Sequence, residues 1–125
     1  MPGPNRSCFF CHRHTLSQLN KITLYTIENE DTNTIMFCHF FTDREHPAHG
    51  EYLTYLEESC ALLDAIYPKI TVKLLLVQGD FTPLNVAELS DAINVPRYFM
   101  LMSCPTDKFP HQLSQFGGVR VVTHS

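Results

Sequence analysis

The sequence predicts an α/β fold, in which a small mixed sheet is covered by helices and preceded by a zinc-bound N-terminal segment. Two observations predict the α/β fold: short apolar runs are typical of strands, and longer stretches have apolar residues at helical spacing. The zinc-bound segment is predicted because cysteine and histidine are concentrated in residues 1–49. The predicted order is an antiparallel N-terminal hairpin followed by a mostly parallel βαβαβαβ part. At 125 residues the chain is expected to form one domain, residues 1–125.

The first two predicted strands form the hairpin. Residues 21–28 (KITLYTIE) alternate apolar and polar side chains, which is typical of a half-buried strand. Residues 34–41 (TIMFCHFF) are a second apolar run, and the intervening NEDTN segment has the composition of a turn. We therefore predict two antiparallel strands joined by a short connection.

The rest of the chain alternates between predicted helices and strands. A helix is expected over residues 51–67, where apolar residues recur at helical spacing before Pro68. The elements predicted after it are a strand over 72–77, a helix from Asn85 to about Asn94, a strand over 98–103, a short helix over 109–116 and a last strand over 119–123.

The cysteine and histidine residues of the first 49 positions predict a metal site. Cys8 and Cys11 have the spacing with which two thiolates ligate one tetrahedral ion. Neighbouring strand residues point to opposite faces, so we expect Cys38, rather than His39, to be the third ligand. The predicted cofactor is one structural Zn²⁺, and its ligands are Cys8, Cys11, Cys38 and either His46 or His49.

Other interpretations of these cysteines remain open. Cys8-x-x-Cys11-His12 also fits c-type haem attachment, which requires an exported, mostly helical protein. The pair alone fits a redox dithiol, which normally follows a strand and opens a helix. We favour zinc because neither context is predicted here. Cys60 and Cys104 lie in apolar runs and are expected to be core residues.

A second candidate site lies at the predicted strand ends. Asp43, Asp80 and Asp107 each follow a predicted strand. Ligands of open α/β sheets bind at the carboxyl ends of parallel strands, and converging carboxylates there hold Mg²⁺. This pattern gives the alternative of a divalent-metal phosphoesterase or nuclease.

The charge distribution favours a protein partner over nucleic acid. Residues 28–64 contain nine acidic residues and one basic residue, whereas the charged residues of segment 1–27 are Arg6, Arg13 and Lys21. We therefore predict a zinc-stabilised interaction domain of a regulatory protein or assembly, which binds a basic protein or a second copy of itself. The alternative is a nucleic-acid-binding zinc module that uses those three bases.

No motif in the sequence indicates an enzymatic activity, so no catalytic residue is predicted. There is no glycine-rich phosphate loop, Gly-x-Ser-x-Gly elbow or His-Glu-x-x-His helix. No apolar run approaches the roughly 20 residues that cross a bilayer, so no membrane contact is expected. Five cysteines without a recognisable secretory signal predict the nucleus or the cytoplasm.

Overall fold

Within the part of the chain that the structure describes, five strands form one entirely parallel sheet. The computed structural model describes residues 6–42 and 49–122. Its elements are β1 (Arg6–Phe10), α1 (Leu16–Asn29), β2 (Thr34–Phe41), α2 (His49–Ile66), β3 (Thr71–Gln78), α3 (Pro83–Ile93), β4 (Met100–Ser103) and β5 (Arg120–Val122). The strand order is β3-β2-β1-β4-β5. The predicted α/β class is confirmed, and the predicted antiparallel hairpin is wrong.

The central strand β1 is the element that the sequence interpretation missed. It pairs in parallel with β2 on one side and with β4 on the other. Cys8 and Phe9 are fully buried, and Phe10 is nearly so. The Cys-x-x-Cys segment was interpreted as a metal-binding arm, but Ser7 to Phe10 forms a short buried strand in which cysteine acts as a small apolar residue.

The predicted strand over residues 21–28 lies within helix α1. Thr15 caps this helix: its side chain accepts from the Gln18 N–H, and the Gln18 side chain accepts from the Thr15 N–H. The helix buries Leu19, Ile22, Thr23 and Thr26, which are three and four residues apart. Each threonine hydroxyl donates to a carbonyl one turn back, so β-branched residues fit here without an unsatisfied polar group.

Helices cover both faces of the sheet. On one face, α1 and α2 pack with Phe9, Ile35 and Phe37 in the first core cluster. On the other face, α3 packs in a second cluster that contains Cys8 and Cys38. Helix α3 lies on the face opposite α1 and α2 because of the direction in which the chain crosses the sheet. The chain first runs from β1 outward to β3, and it then returns to place β4 beside β1. Right-handed crossovers in opposite directions put their helices on opposite faces.

The predictions for the middle of the chain are confirmed, with shifted boundaries. Helix α2 and strand β3 agree with the predicted elements over 51–67 and 72–77. Helix α3 begins at Pro83, two residues before the predicted Asn85, because Thr82 is its N-cap and proline is favoured in the first turn. It ends at Asn94, which adopts a left-handed conformation with φ of 55°.

The last predicted elements are shorter than expected. Residues Arg97–Phe99 form a 3₁₀ turn, so β4 begins only at Met100. In the segment predicted as a helix over 109–116, only Leu113–Phe116 is helical, again as a 3₁₀ turn. Gly117 follows with φ of 65°, which favours glycine. The final strand is β5, within the predicted 119–123.

An ion pair joins the end of α1 to the edge strand β5. The Glu30 carboxylate accepts two hydrogen bonds from the Arg120 guanidinium, and its side chain is only 6% exposed. Arg120 Nε also donates to the Tyr98 carbonyl at 2.7 Å, and the guanidinium lies 4.4 Å from the Tyr98 ring centroid. This two-bond geometry in a partly buried setting stabilises more than an exposed pair does.

Replacing Glu30 with Gln should destabilise the fold. The substitution leaves the Arg120 guanidinium without its counter-charge, and we expect a loss of about 2 kcal/mol in the free energy of unfolding. Urea denaturation of Glu30→Gln checks this, with Glu28→Gln as the control because Glu28 is an exposed residue of the same helix. Equal stability of the two variants would contradict the role assigned to the pair.

Candidate functional site

A cleft opens where the order of the strands reverses. β1 and β4 are neighbours in the sheet, but the chain leaves β1 toward the face covered by α1 and leaves β4 toward the opposite face. The diverging connections leave a cavity of about 650 Å³ over the carboxyl ends of these strands. This is the position at which open α/β sheets bind their ligands.

Aromatic side chains form one wall of the cleft. Phe81 lies at its centre, with ring centroids 5.1 Å from Phe10, 5.5 Å from Phe40 and 6.2 Å from Phe109. Met102 of β4 and Val122 of β5 add to the apolar lining. Large aromatic faces bury flat apolar molecules well, so this wall suits a planar group.

A histidine–serine pair supplies polar groups to the cleft. His14 is only 8% exposed, and its ring packs edge-to-face on Phe9 at 5.0 Å. Its Nδ1 accepts a 2.8 Å hydrogen bond from the His12 backbone N–H. A neutral ring that accepts at Nδ1 carries its proton on Nε2, so Nε2–H donates to Ser103 Oγ, also at 2.8 Å. Tyr52 fixes the loop by donating to the His14 carbonyl.

The environment keeps His14 neutral. Burial lowers the pKa of its imidazole, and the neighbouring His12 lowers that pKa further. Because Nε2 is protonated and directed at Ser103, this nitrogen has no lone pair with which to accept the serine proton. The arrangement differs from a Ser–His catalytic pair, in which the ring accepts from the serine hydroxyl. His14 therefore orients Ser103 rather than activating it.

The start of α1 is not arranged as a phosphate site. The loop between β1 and α1, residues 11–15, contains no glycine. The first amides of the helix are already bonded to side chains: Leu16 N–H donates to Tyr55 Oη at 2.7 Å, and Gln18 N–H donates to Thr15 Oγ1. Phosphate binding at helix N-termini requires these amides to face the ligand, so a nucleotide phosphate does not fit here.

Positive charge is present at the rim of the cleft. Among the described residues that line it, Lys108 carries the formal charge, and no aspartate or glutamate contributes. His12 and Gln18 add further polar groups. The lining therefore favours a molecule with an anionic end over a cation.

The predicted cysteine ligands are separated by the sheet. Cys8 and Cys38 lie in the core cluster on the α3 face, whereas Cys11 lies in the cluster on the α1 and α2 face. Side chains alternate along a strand, so Cys8 and Cys11 point to opposite faces. Burial raises the pKa of both thiols well above the usual value, which favours the neutral thiol. Over residues 6–42 and 49–122, no group of three or more His, Cys, Asp or Glu is arranged to hold a metal ion.

The predicted histidine ligands fall in different parts of the chain. His49 lies at the start of α2 and contacts His39, not Cys38. His46 lies outside the described residues. Zinc therefore remains a prediction, and this fold does not bring Cys8, Cys11 and Cys38 together with His49 around one ion. Of the two predicted core cysteines, Cys60 is buried, but Cys104 is exposed and lines the cleft.

The predicted acidic site remains a prediction. Asp80 follows β3 and Asp107 follows β4, and these strands are separated by β2 and β1. The segments that carry these two residues nevertheless converge on the cleft, where the rings of Phe81 and Phe109 lie 6.2 Å apart. Asp43 lies outside the described residues.

The predicted nucleic-acid contacts are spread over different surfaces. Arg6 opens β1 and donates through a terminal guanidinium nitrogen to the Ile93 carbonyl at 2.6 Å, at the end of α3. This bond satisfies a helix C-terminal carbonyl, so Arg6 has a structural role. Arg13 is exposed in the loop before α1 with φ of 59°, and Lys21 is exposed on the helix itself.

Sequence reasoning missed His14, Ser103 and the aromatic wall. The sequence analysis assigned no role to His14, and it placed Ser103 only at the end of the strand predicted over 98–103. The available signal was the largely apolar run in residues 7–10, which predicts a strand. His14 would then follow one parallel strand and Ser103 would end another, which is where ligand sites of such sheets lie.

The stability of the protein should depend on pH through His14. The unfolded chain binds a proton at this histidine near pH 6.5, whereas the folded pKa is lower, so the wild type should lose stability as the pH falls through that value. His14→Gln has no titrating ring and should lose less stability between about pH 7.5 and about pH 5.5.

Urea unfolding at both pH values checks this expectation. His111→Gln is the control because His111 belongs to the loop after β4, where its ring contacts Phe109 and Phe116. An identical pH dependence in His14→Gln and the wild type would show that His14 is not the group responsible.

Comparisons with known proteins do not assign a family. No protein-family model, no curated protein and no solved structure matches the chain. Within the described residues, no helix combines the length and apolar character needed to cross a membrane.

Proposed function

We propose that this protein binds a small, flat, largely apolar molecule with an anionic group, in the cleft between the ends of β1 and β4. The observation that carries the proposal is the combination of an aromatic wall with Lys108 and the His14–Ser103 pair at the point where the strand order reverses. The zinc, protein-partner, nucleic-acid and phosphoesterase functions expected from the sequence remain predictions.

The size and lining of the cleft support a small-molecule ligand. A volume of about 650 Å³ lies within the range of roughly 300–1,000 Å³ that is typical of such sites. The site also has the usual composition, with mostly apolar residues and a few convergent polar groups. A flat ring placed against Phe81 would contact Phe10 and Phe109 along its faces and edges.

The polar groups give the ligand a defined orientation. Ser103 Oγ accepts from His14, which fixes the position of this hydroxyl in the lining of the cleft. Lys108 lies in the connection after β4 and attracts a carboxylate, sulfonate or phosphate group at the rim. Because His14 is held neutral, the proposed role is to bind and recognise a ligand rather than to transfer its protons.

A fluorescent probe with the proposed chemistry tests the aromatic wall. 8-Anilinonaphthalene-1-sulfonate has flat rings and one sulfonate, and it should bind the folded protein saturably with one molecule per chain. Phe109→Ala removes a wall residue, and a loss of about 1.5 kcal/mol corresponds to roughly tenfold weaker binding. Leu113→Ala is the control, because Leu113 is 41% exposed and does not line the cleft.

Circular dichroism and a cooperative urea transition establish that both variants are folded. The dye also binds loosely packed states, so only saturable binding by folded protein counts. Equal affinities for Phe109→Ala and Leu113→Ala would reject the aromatic wall as the binding surface.

Changing Lys108 tests the anionic end of the proposed ligand. Lys108→Gln should weaken binding of the sulfonate probe about threefold, since exposed ion pairs contribute up to about 1 kcal/mol. Binding of the uncharged probe N-phenyl-1-naphthylamine should not change. Lys73→Gln is the control, because this exposed lysine lies on the edge strand β3. Equal weakening of both probes would indicate altered packing and would count against recognition of charge.

A further inference from the structure

Two histidine rings meet at the end of β2, away from the cleft. His39 is the sixth residue of β2 and is only 4% exposed, whereas His49 is the half-buried first residue of α2. Their Nε2 atoms are 2.9 Å apart, and the ring centroids are separated by 5.2 Å. Both rings thus direct the same nitrogen toward one point.

The proton of this contact can be assigned from its neighbours. His39 Nδ1 lies 3.1 Å from the Cys11 carbonyl oxygen, which can only accept, so Nδ1 carries the proton. In the neutral ring, His39 Nε2 then has a lone pair directed at His49. The contact requires His49 to donate from Nε2, and a single proton therefore holds the two rings together.

We propose that His39 and His49 form a two-histidine site for a divalent transition metal ion, with Zn²⁺ and Cu²⁺ as the ions it suits best. The ion replaces the shared proton: each Nε2 lone pair forms one bond to the metal. The neutral His49 ring changes tautomer through solvent exchange, so that Nδ1 gains a proton as Nε2 loses one. Zinc–nitrogen bonds of about 2.0–2.1 Å at a tetrahedral angle need the two nitrogens about 3.3 Å apart, so a small opening suffices.

The surroundings already have the form of a metal site. Histidine ligands usually donate their other ring N–H to a carbonyl or carboxylate, which fixes the tautomer and the ring orientation. The Cys11 carbonyl has that role for His39. The Tyr52 ring lies edge-on to His39 at 5.4 Å, and Phe41 contacts His49 at 5.7 Å, so both imidazoles are held in place.

The donor set also indicates which ions bind and how strongly. Imidazole nitrogen suits zinc and copper, and affinity rises toward Cu²⁺ along the first-row divalent series. This site shares the cation predicted from the sequence and one of its ligands, His49, but His39 takes the place that was assigned to Cys38.

Titration calorimetry of the full chain with ZnCl₂ and with CuCl₂ tests the proposal. The Cys104→Ser background removes the exposed thiol as a competing ligand. We expect one ion per chain in this background and affinity at least about tenfold lower in His49→Gln. His111→Gln is the control and should bind as the background does. His49 is half-buried, so this variant avoids the cavity that a change at His39 would create.

Electron paramagnetic resonance of the Cu²⁺ form provides a second readout. Nitrogen superhyperfine structure from two imidazoles should appear in the background protein and be reduced in His49→Gln, with circular dichroism showing that the variant is folded. Undiminished affinity and an unchanged spectrum in His49→Gln would overturn the proposal, as would an absence of stoichiometric binding in the background protein.

Discussion

The structure depends on the burial of β1 between two parallel neighbours. Its backbone is bonded to β2 along the whole strand and to β4 at Cys8 and Phe9. Phe9 fills the core under α1 and α2, and Phe10 fills the core on the α3 face. A strand buried on both faces cannot be displaced without opening both cores, so β1 sets the order of the sheet and the place where that order reverses.

The position of the cleft follows from this strand order. The neighbouring strands β1 and β4 are followed by connections that run to opposite faces of the sheet. The main chain does not fill the space between these connections. The aromatic residues that line it come from β1, from β2 and from the segments that follow β3 and β4. His14 and Ser103 meet there because His14 lies in the loop after β1 and Ser103 is the last residue of the neighbouring strand β4. Distant parts of the sequence are thereby brought to one site.

Much of the fold could be predicted from local patterns, but the site could not. Helix α2 and strand β3 have clear periodicity and were predicted correctly. In α1 the alternation of residues 21–28 resembled a strand, although the Thr15 capping box and the spacing of Leu19 and Ile22 indicate a helix. Because Cys8 was interpreted as a metal ligand, the first strand was not predicted. The cleft depends on long-range strand order, which no local pattern carries.

The Cys11 peptide connects the cleft to the histidine pair on α2. Its N–H donates to the Cys38 carbonyl at 2.8 Å and extends the pairing of β1 with β2 by one residue. Its carbonyl accepts from His39, and the chain then turns through His12 to His14. The alternation rule correctly placed Cys38 and His39 on opposite faces, but His49 lies on the face of His39. The two proposed sites therefore share a main-chain support, while separate side chains determine what each of them binds.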